Sequence, residues 1–155
     1  MNPQNAALAN PAPATLLGRY RVLRELGRGA QGRVYLAEDT HLTRNVAIKT
    51  LPPGQDAARV ASLIAEARTI GKLTHANIVT LYDAFEDNGR HCIVLEYVEG
   101  QTLEQMLKNE GRIEPQRATA IAVQMLEGLG FAHERGIVHR DIKPANVLID
   151  ASGNA

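Results

Sequence analysis

A short segment with three glycines, Gly27-Arg28-Gly29-Ala30-Gln31-Gly32, is the feature that most constrains the fold of this chain. The residues after it alternate between apolar and polar character, with Val34 and Leu36 as apolar members, and therefore predict a strand. A dinucleotide-binding fold needs a helix directly after such glycines, so that class is excluded. A Walker-type phosphate loop is also excluded, because no Gly-Lys-Ser/Thr closes the segment. What remains is a hairpin between antiparallel strands, which is either an ordinary glycine-rich turn or a backbone that can approach phosphates closely.

The composition excludes several classes of partner. The chain has 155 residues with 17 Lys and Arg against 17 Asp and Glu, so its formal net charge is +0. This balance and the 4% of aromatic residues predict no binding to nucleic acid or to an anionic membrane surface. A single cysteine, Cys92, cannot form an intrachain disulfide, which favours the reducing cytoplasm. No apolar run approaches the ~20 residues of a membrane-spanning helix, so no membrane segment is predicted in this chain.

The first half of the chain predicts an antiparallel sheet with one helix. Residues 1–17 contain several prolines and few core-forming residues, and we expect a disordered leader there. The β-branched run Val46-Ala47-Ile48-Lys49 predicts a strand that follows the glycine hairpin, and Asp56 is a candidate N-cap of a helix. Asp87-Asn88-Gly89 is a strong turn signal between two further strands. The predicted sheet therefore has five strands.

The second half predicts helices around a polar loop. The sequence Thr102-Leu103-Glu104-Gln105 has the form of a capping box and predicts the start of a short helix. Glu114-Pro115 opens a longer one, because proline suits the first turn of a helix. Two short apolar runs, Ile137–His139 and Val147–Ile149, flank a loop rich in polar residues. The fold class predicted for the chain is α+β.

Three motifs in a fixed order give the chain a specific resemblance. The glycine hairpin, the strand that ends in Lys49, and His139-Arg140-Asp141-Ile142-Lys143-Pro144-Ala145-Asn146 together resemble the protein kinase family. The lysine in Ile142-Lys143-Pro144 is typical of the serine/threonine branch, and the overall sequence is similar to the eukaryotic-like, or Hanks-type, kinases of bacteria. The resemblance covers about Tyr20 to Asp150. It implies an N-lobe at 18–95, a hinge at 96–100 and a partial C-lobe at 101–155.

The resemblance implies a role for each polar residue of these motifs. Phosphoryl transfer depends on positioning and on charge neutralisation. Lys49 would contact the α- and β-phosphates of ATP, and a buried lysine needs a carboxylate partner, for which Glu66 matches the family. Asp141 would accept the proton of the substrate hydroxyl, and Lys143 would stabilise charge near the γ-phosphate. The amide oxygen of Asn146 would bind Mg²⁺.

The resemblance also implies an adenine pocket among the apolar residues around these motifs. The whole glycine segment, residues 27–32, would cover the phosphates. Val34 and Ala47 would cover one face of the base and Leu148 the other. Leu95 matches the residue before the hinge, whose backbone would hydrogen-bond adenine at the following positions, Glu96 and Val98.

The sequence also lacks a motif that the resemblance leads us to expect. No Asp-Phe-Gly follows the catalytic loop, so the catalytic domain is predicted to be truncated before that motif. We therefore expect a serine/threonine protein kinase that uses ATP and Mg²⁺ on protein substrates, with weak or no activity in this chain alone. The alternative is a non-catalytic ATP-binding or interaction module, which could form a homodimer through an exposed C-lobe surface.

Overall fold

The computed structural model describes residues 15–29, 32–52, 58, 61, 64, 65, 71 and 73–155. Its larger sheet consists of β1 (Leu16–Leu17), β2 (Tyr20–Gly29), β3 (Gly32–Asp39), β4 (Arg44–Thr50), β5 (Leu81–Asp87) and β6 (Arg90–Glu96). These strands are ordered β1-β2-β3-β4-β6-β5, and every neighbouring pair is antiparallel. A smaller sheet pairs β7 (Gly100–Thr102) with β8 (Leu148–Asp150).

The large sheet begins earlier than the sequence predicted. Leu16–Leu17 pairs with the start of β2, and the Val22 N–H donates to the Thr15 carbonyl at 2.9 Å. Leu17 is only 3% exposed and packs in the core of the sheet. The prediction of a disordered leader is therefore wrong for these two residues, and the sheet has six strands rather than five. A strand of two residues carries no alternation that a sequence pattern could reveal.

The two predicted hairpins are both present. β2 pairs with β3 along its length, and the register shifts twice within β2, where Leu23 and Leu26 form bulges. β5 and β6 are joined by Asn88 and Gly89, whose φ angles of 50° and 74° are both left-handed. An Asn-Gly turn of this kind matches the twist of the flanking strands, which is why the pair is a strong hairpin signal.

Two helices follow β7. α1 (Leu103–Glu110) begins with the predicted capping box, because Thr102 and Gln105 hydrogen-bond each other's backbone N–H groups. α2 (Pro115–His133) is capped by Glu114, whose carboxylate accepts the Arg117 N–H at 3.1 Å. A 3₁₀ turn, Pro144–Asn146, leads into β8. No helix among the described residues has the length and apolar character needed to cross a bilayer.

The described residues form two separate apolar cores. One lies on a single face of the large sheet and comprises Leu17, Tyr20, Ala37, Val46, Ile48, Cys92 and Val94. The other joins both helices to β8 and comprises Met106, Ile121, Val147 and Ile149. Each core stabilises the part of the chain that contributes to it.

The region after Asp56 is described in part, so some predictions are confirmed there and others fall outside the described residues. The helix predicted after Asp56 is confirmed at Ala58, Ala61, Ile64 and Ala65, which are helical. The sequence predictions outside the described part concern residues 1–14 of the leader, Ala30, Gln31, Asp56 and Glu66. The proposed partnership of Lys49 with Glu66 therefore stays a prediction.

Candidate active site

The register of the large sheet collects four predicted site residues on one face. Val34 lies directly opposite Lys49 in the β3–β4 pair, and Ala47 lies opposite Leu95 in the β4–β6 pair. Directly opposite residues of an antiparallel pair point to the same face, as do residues two apart in one strand. Because Ala47 and Lys49 are two apart, all four side chains share one face of the sheet. This face is opposite to the one that carries Ile48 and the apolar core.

The catalytic-loop motif forms one hydrogen-bonded cluster. The Lys143 ammonium donates to both carboxylate oxygens of Asp141, each at 2.9 Å. The Asn146 side-chain amide donates to the Asp141 carbonyl at 2.7 Å and to its carboxylate at 2.9 Å. The three residues therefore present a carboxylate, an ammonium group and an amide oxygen at one place. The Asp141 and Lys143 side chains are each 46% exposed, so a substrate can reach them.

The backbone of this loop is held in an uncommon conformation. Arg140 has a φ of 63°, which is a left-handed angle that side-chain-bearing residues rarely adopt. The His139 ring accepts the Asp141 N–H through Nδ1 at 3.3 Å. Local strain of this kind persists where the surrounding structure fixes it, and such sites are often functional. The left-handed residue directly precedes Asp141, the central member of the cluster described above.

Electrostatics connect the sheet face with the loop cluster. Burial lowers the pKa of the Lys49 ammonium, because desolvation disfavours the charged form. The Asp141 carboxylate raises this pKa and the Lys143 ammonium lowers it further. Both loop charges therefore lie within electrostatic reach of Lys49, although Asp141 lies 92 residues further along the chain. The structure brings the strand lysine and the catalytic-loop cluster together.

The predicted hinge is held by Thr80, which sequence analysis did not single out. The Glu96 N–H donates to the Thr80 carbonyl at 2.8 Å, and the Glu96 carboxylate accepts the Thr80 N–H at 3.1 Å. Among the described residues, none hydrogen-bonds to the backbone of Val98. Within this part of the chain, the Val98 N–H and C=O therefore have no protein partner. No local pattern could reveal the Thr80 contact, because it joins residues 16 apart in sequence.

A cavity of about 730 Å³ lies beside the hinge. Glu96, Val98, Asn146 and Leu148 contribute to its wall, together with apolar residues of α2. The sheet-face residues Val34, Ala47 and Lys49 are not part of that wall. The cavity therefore overlaps the hinge side of the predicted adenine pocket and extends away from the sheet, toward α2.

The glycines of the hairpin differ in what the fold requires of them. Gly32 has a φ of 115°, and a Cβ there would lie 1.9 Å from the Thr50 carbonyl oxygen. A Cβ at Gly27 or Gly29 would meet no atom within 4 Å in the described part of the chain. Arg28 between them is exposed and pairs with Glu25 at 3.1 Å. Packing thus explains the third glycine only.

The described residues offer a partial donor set for a divalent cation. They contain no group of three His, Cys, Asp or Glu side chains that could hold a metal ion. Asn146 uses its amide nitrogen toward Asp141, which leaves the amide oxygen for a ligand. Mg²⁺ prefers such oxygen ligands and retains several waters or phosphate oxygens. The residues present therefore fit Mg²⁺ as one protein ligand of an ion that is also bound by phosphates.

The described residues thus combine a half-buried lysine on an open sheet face with an exposed acid–amide loop and a hinge, which is the arrangement that the sequence motifs predicted for a kinase domain. The comparison with protein families agrees, since residues 20–155 match the protein kinase domain. The chain belongs to the protein kinase family.

Three curated relatives are serine/threonine-protein kinases of bacteria. PrkC of Bacillus subtilis is 44% identical over 139 residues, which cover 88% of this chain and 22% of that protein. PknD of Mycobacterium tuberculosis is 41% identical over 146 residues, or 93% of this chain and 22% of the relative. The kinase pkn2 of Myxococcus xanthus is 41% identical over 144 residues, covering 92% and 17%. The chain thus spans about a fifth of the length of these relatives, and it resembles serine/threonine kinases as its loop motif predicted.

Proposed function

We propose that this chain supplies the ATP site and the catalytic loop of a serine/threonine protein kinase that acts in the cytoplasm on protein hydroxyls. The observation that carries the proposal is the hydrogen-bonded cluster of Asp141, Lys143 and Asn146, which lies within electrostatic reach of Lys49 on the sheet face shared with Val34 and Ala47. A second support is that the packing of the described residues gives no reason for glycine at two positions of the hairpin.

The proposed binding of ATP follows from this face. Val34 and Ala47 cover one side of adenine and Leu148 the other, with Leu95 at the back of the pocket. The backbone groups of Glu96 and Val98 hydrogen-bond the base. Lys49, supported by Glu66, binds the α- and β-phosphates, while the absence of Cβ atoms lets the glycine-segment backbone approach them.

The proposed transfer step uses the loop cluster. The hydroxyl oxygen of a serine or threonine forms a bond to the γ-phosphorus, and its proton passes to the Asp141 carboxylate. The bond between the γ-phosphorus and the bridging oxygen breaks, and its electron pair leaves with ADP. Lys143 stabilises the charge on the transferring group. Asn146 would hold Mg²⁺, which would supply neutralisation of phosphate charge. Turnover by the 155-residue chain alone is expected to be slow, because one amide oxygen binds Mg²⁺ weakly.

A binding and turnover experiment tests the proposal. We would measure affinity for a fluorescent ATP analogue with Mg²⁺, and phosphate transfer to casein, for the wild type and two variants. Lys49→Met is expected to weaken nucleotide binding at least about tenfold, by removing a phosphate contact. Asp141→Asn is expected to retain binding and to lower any turnover by about 10²- to 10⁴-fold.

Lys108→Met is the matched control, because Lys108 is an exposed lysine of α1 whose partner among the described residues is Glu104 of the same helix, at 3.0 Å. Wild-type protein that binds no nucleotide, or a Lys108→Met variant that loses as much affinity as Lys49→Met, would contradict the proposal.

The alternative is a non-catalytic ATP-binding or interaction module. Exposed apolar side chains on α2 favour it, since Leu126 is 66% and Val123 is 48% exposed, and such patches mark contact surfaces. Nucleotide binding with no turnover that depends on Asp141, together with a dimer in light scattering, would favour this alternative.

A further inference from the structure

Three distant segments meet at the side chain of Gln124, in the middle of α2. Gln124 Oε1 accepts from Asn77 Nδ2 at 3.2 Å and from the Ala155 N–H at 2.8 Å. Asn77 Nδ2 also donates to the Ala155 carbonyl at 2.6 Å. All three residues are half-buried, so these bonds are partly shielded from water. We call Asn77, Gln124 and Ala155 the amide junction.

Through Asn77, the amide junction is connected to the hinge. Asn77 lies in a turn where its N–H donates to His75 Nδ1 at 3.1 Å, and the His75 ring packs on Phe131 of α2. The turn lies so close to the helix that a Cβ at Gly128 would be 2.8 Å from the Asn77 carbonyl oxygen. Three residues beyond Asn77, Thr80 exchanges hydrogen bonds with the hinge residue Glu96.

Through Ala155, the amide junction is connected to the catalytic loop. Ala155 follows a tight turn in which the Asp150 carboxylate accepts the N–H groups of Ser152 and Asn154, each at 2.8 Å. The Asp150 N–H in turn donates to the Asn154 carbonyl at 2.9 Å. This turn ends β8, the strand that carries Leu148 directly after the loop of Asn146. A short, hydrogen-bonded segment therefore connects Ala155 to the loop side of the site.

We propose that Gln124 is a positioning residue that fixes the hinge side and the loop side of the nucleotide site relative to each other. This proposal rests on the proposed function, because the effect expected of Gln124 is on nucleotide affinity. Gln124 is not one of the residues that we place against nucleotide, so it acts through Asn77 and Ala155. Its Oε1 accepts both hydrogen bonds, and a carboxylate oxygen at the same place can do the same. An aliphatic side chain would leave both donors without this acceptor.

Substitutions that keep or remove the acceptor test the proposal. Gln124→Leu is expected to weaken binding of a fluorescent ATP analogue with Mg²⁺ about three- to tenfold, the effect of losing one or two hydrogen bonds. It should also speed hydrogen–deuterium exchange in both 75–80 and 150–155. Gln124→Glu is expected to restore affinity to within about twofold and to restore slow exchange in both segments.

Two controls separate positioning from a general loss of stability. Gln116→Leu makes the same change at an exposed position of α2 and should alter neither measurement. Ile121→Val removes a methylene from the core of the same helix, and at matched thermal stability it should leave nucleotide affinity unchanged. The proposal is overturned if Ile121→Val weakens binding as much as Gln124→Leu, or if Glu fails to restore what Leu removes.

Exchange and affinity also distinguish this proposal from the proposed function. A wild-type chain that binds no nucleotide overturns the proposed function and, with it, the effect of Gln124 on affinity. The exchange comparison still decides whether Gln124 joins the two segments. Equal exchange in Gln124→Leu and Gln116→Leu would show that it does not.

Discussion

Strand β4 presents two faces that differ in what they require of their side chains. Val46 and Ile48 point into the sheet core and are 0% exposed. Ala47 and Lys49 alternate with them, remain half-buried and face the loop that carries Asp141. Neighbouring residues of this strand thus differ in how completely they must be buried. The core face stabilises the sheet by burial of apolar surface, whereas the open face tolerates incomplete burial so that a ligand can complete it.

The largest expected effect comes from the core face. Ile48→Ala would remove buried methylene groups and leave a cavity, which costs about 2–5 kcal/mol of unfolding free energy. Lys49→Met, one residue away on the open face, is expected to change that free energy by less than about 1 kcal/mol, as is usual away from the core. Urea unfolding of both variants measures the contrast. Similar losses in the two variants would break the distinction between the faces.

A second contrast lies within the glycine hairpin. Gly32→Ala combines a left-handed φ with a Cβ placed against the Thr50 carbonyl, so β3 must shift from β4. We expect a loss of about 1–3 kcal/mol in unfolding free energy, which is typical of strained backbone positions. Urea unfolding measures this loss, and retention of wild-type stability would show that the start of β3 moves freely.

The buried Tyr20 on the core face predicts that the stability of the fold depends on pH. Burial and the nearby Asp83 carboxylate raise the pKa of Tyr20 from its ordinary value of about 10 to about 12. Between these values the folded protein keeps a proton that the unfolded chain releases, so stability falls as the pH rises through this range. Tyr20→Phe should lose the Asp83 hydrogen bond, at about 0.5–1.5 kcal/mol, and should show a smaller fall above pH 10.

Urea unfolding at pH 9, 10 and 11 compares the slopes for Tyr20→Phe and for the wild type, with Tyr82→Phe as a partly exposed control. If Tyr20→Phe loses stability with pH as steeply as the wild type, the phenol of Tyr20 does not titrate as its burial implies.

The smallest expected effect concerns Gly27, the first glycine of the hairpin. Gly27→Ala adds a methyl group that meets no described atom within 4 Å, and alanine restricts the unfolded chain. Stability is therefore expected to rise by about 0.4–1 kcal/mol. Affinity for MgATP should fall, because the new methyl group holds the backbone away from phosphate. Calorimetry with titrated MgATP measures both, and unchanged affinity would remove the functional reason for this glycine.

Much of the fold could be predicted from local patterns because local chemistry decides it. The Asn88–Gly89 turn, the Thr102 capping box and Pro115 at the start of α2 act within a few residues, and all three are confirmed. β1 was missed, because its two residues owe their place to packing of Leu17 in the core. The Gln124 contacts were also missed, since a glutamine in a helix gives no sign of partners 31 and 47 residues away.

The sequence by itself determined the class of the chain, because the glycine segment, the strand lysine and the catalytic-loop motif occur in one order with fixed spacing. Tertiary structure alone decided which charges meet. Lys49 and Asp141 are neither in one element nor in adjacent ones, and only the folding of the two halves onto each other brings them within electrostatic reach. The physical reason is one of range: turn and cap chemistry acts over a few residues of chain, whereas charge and packing act through space.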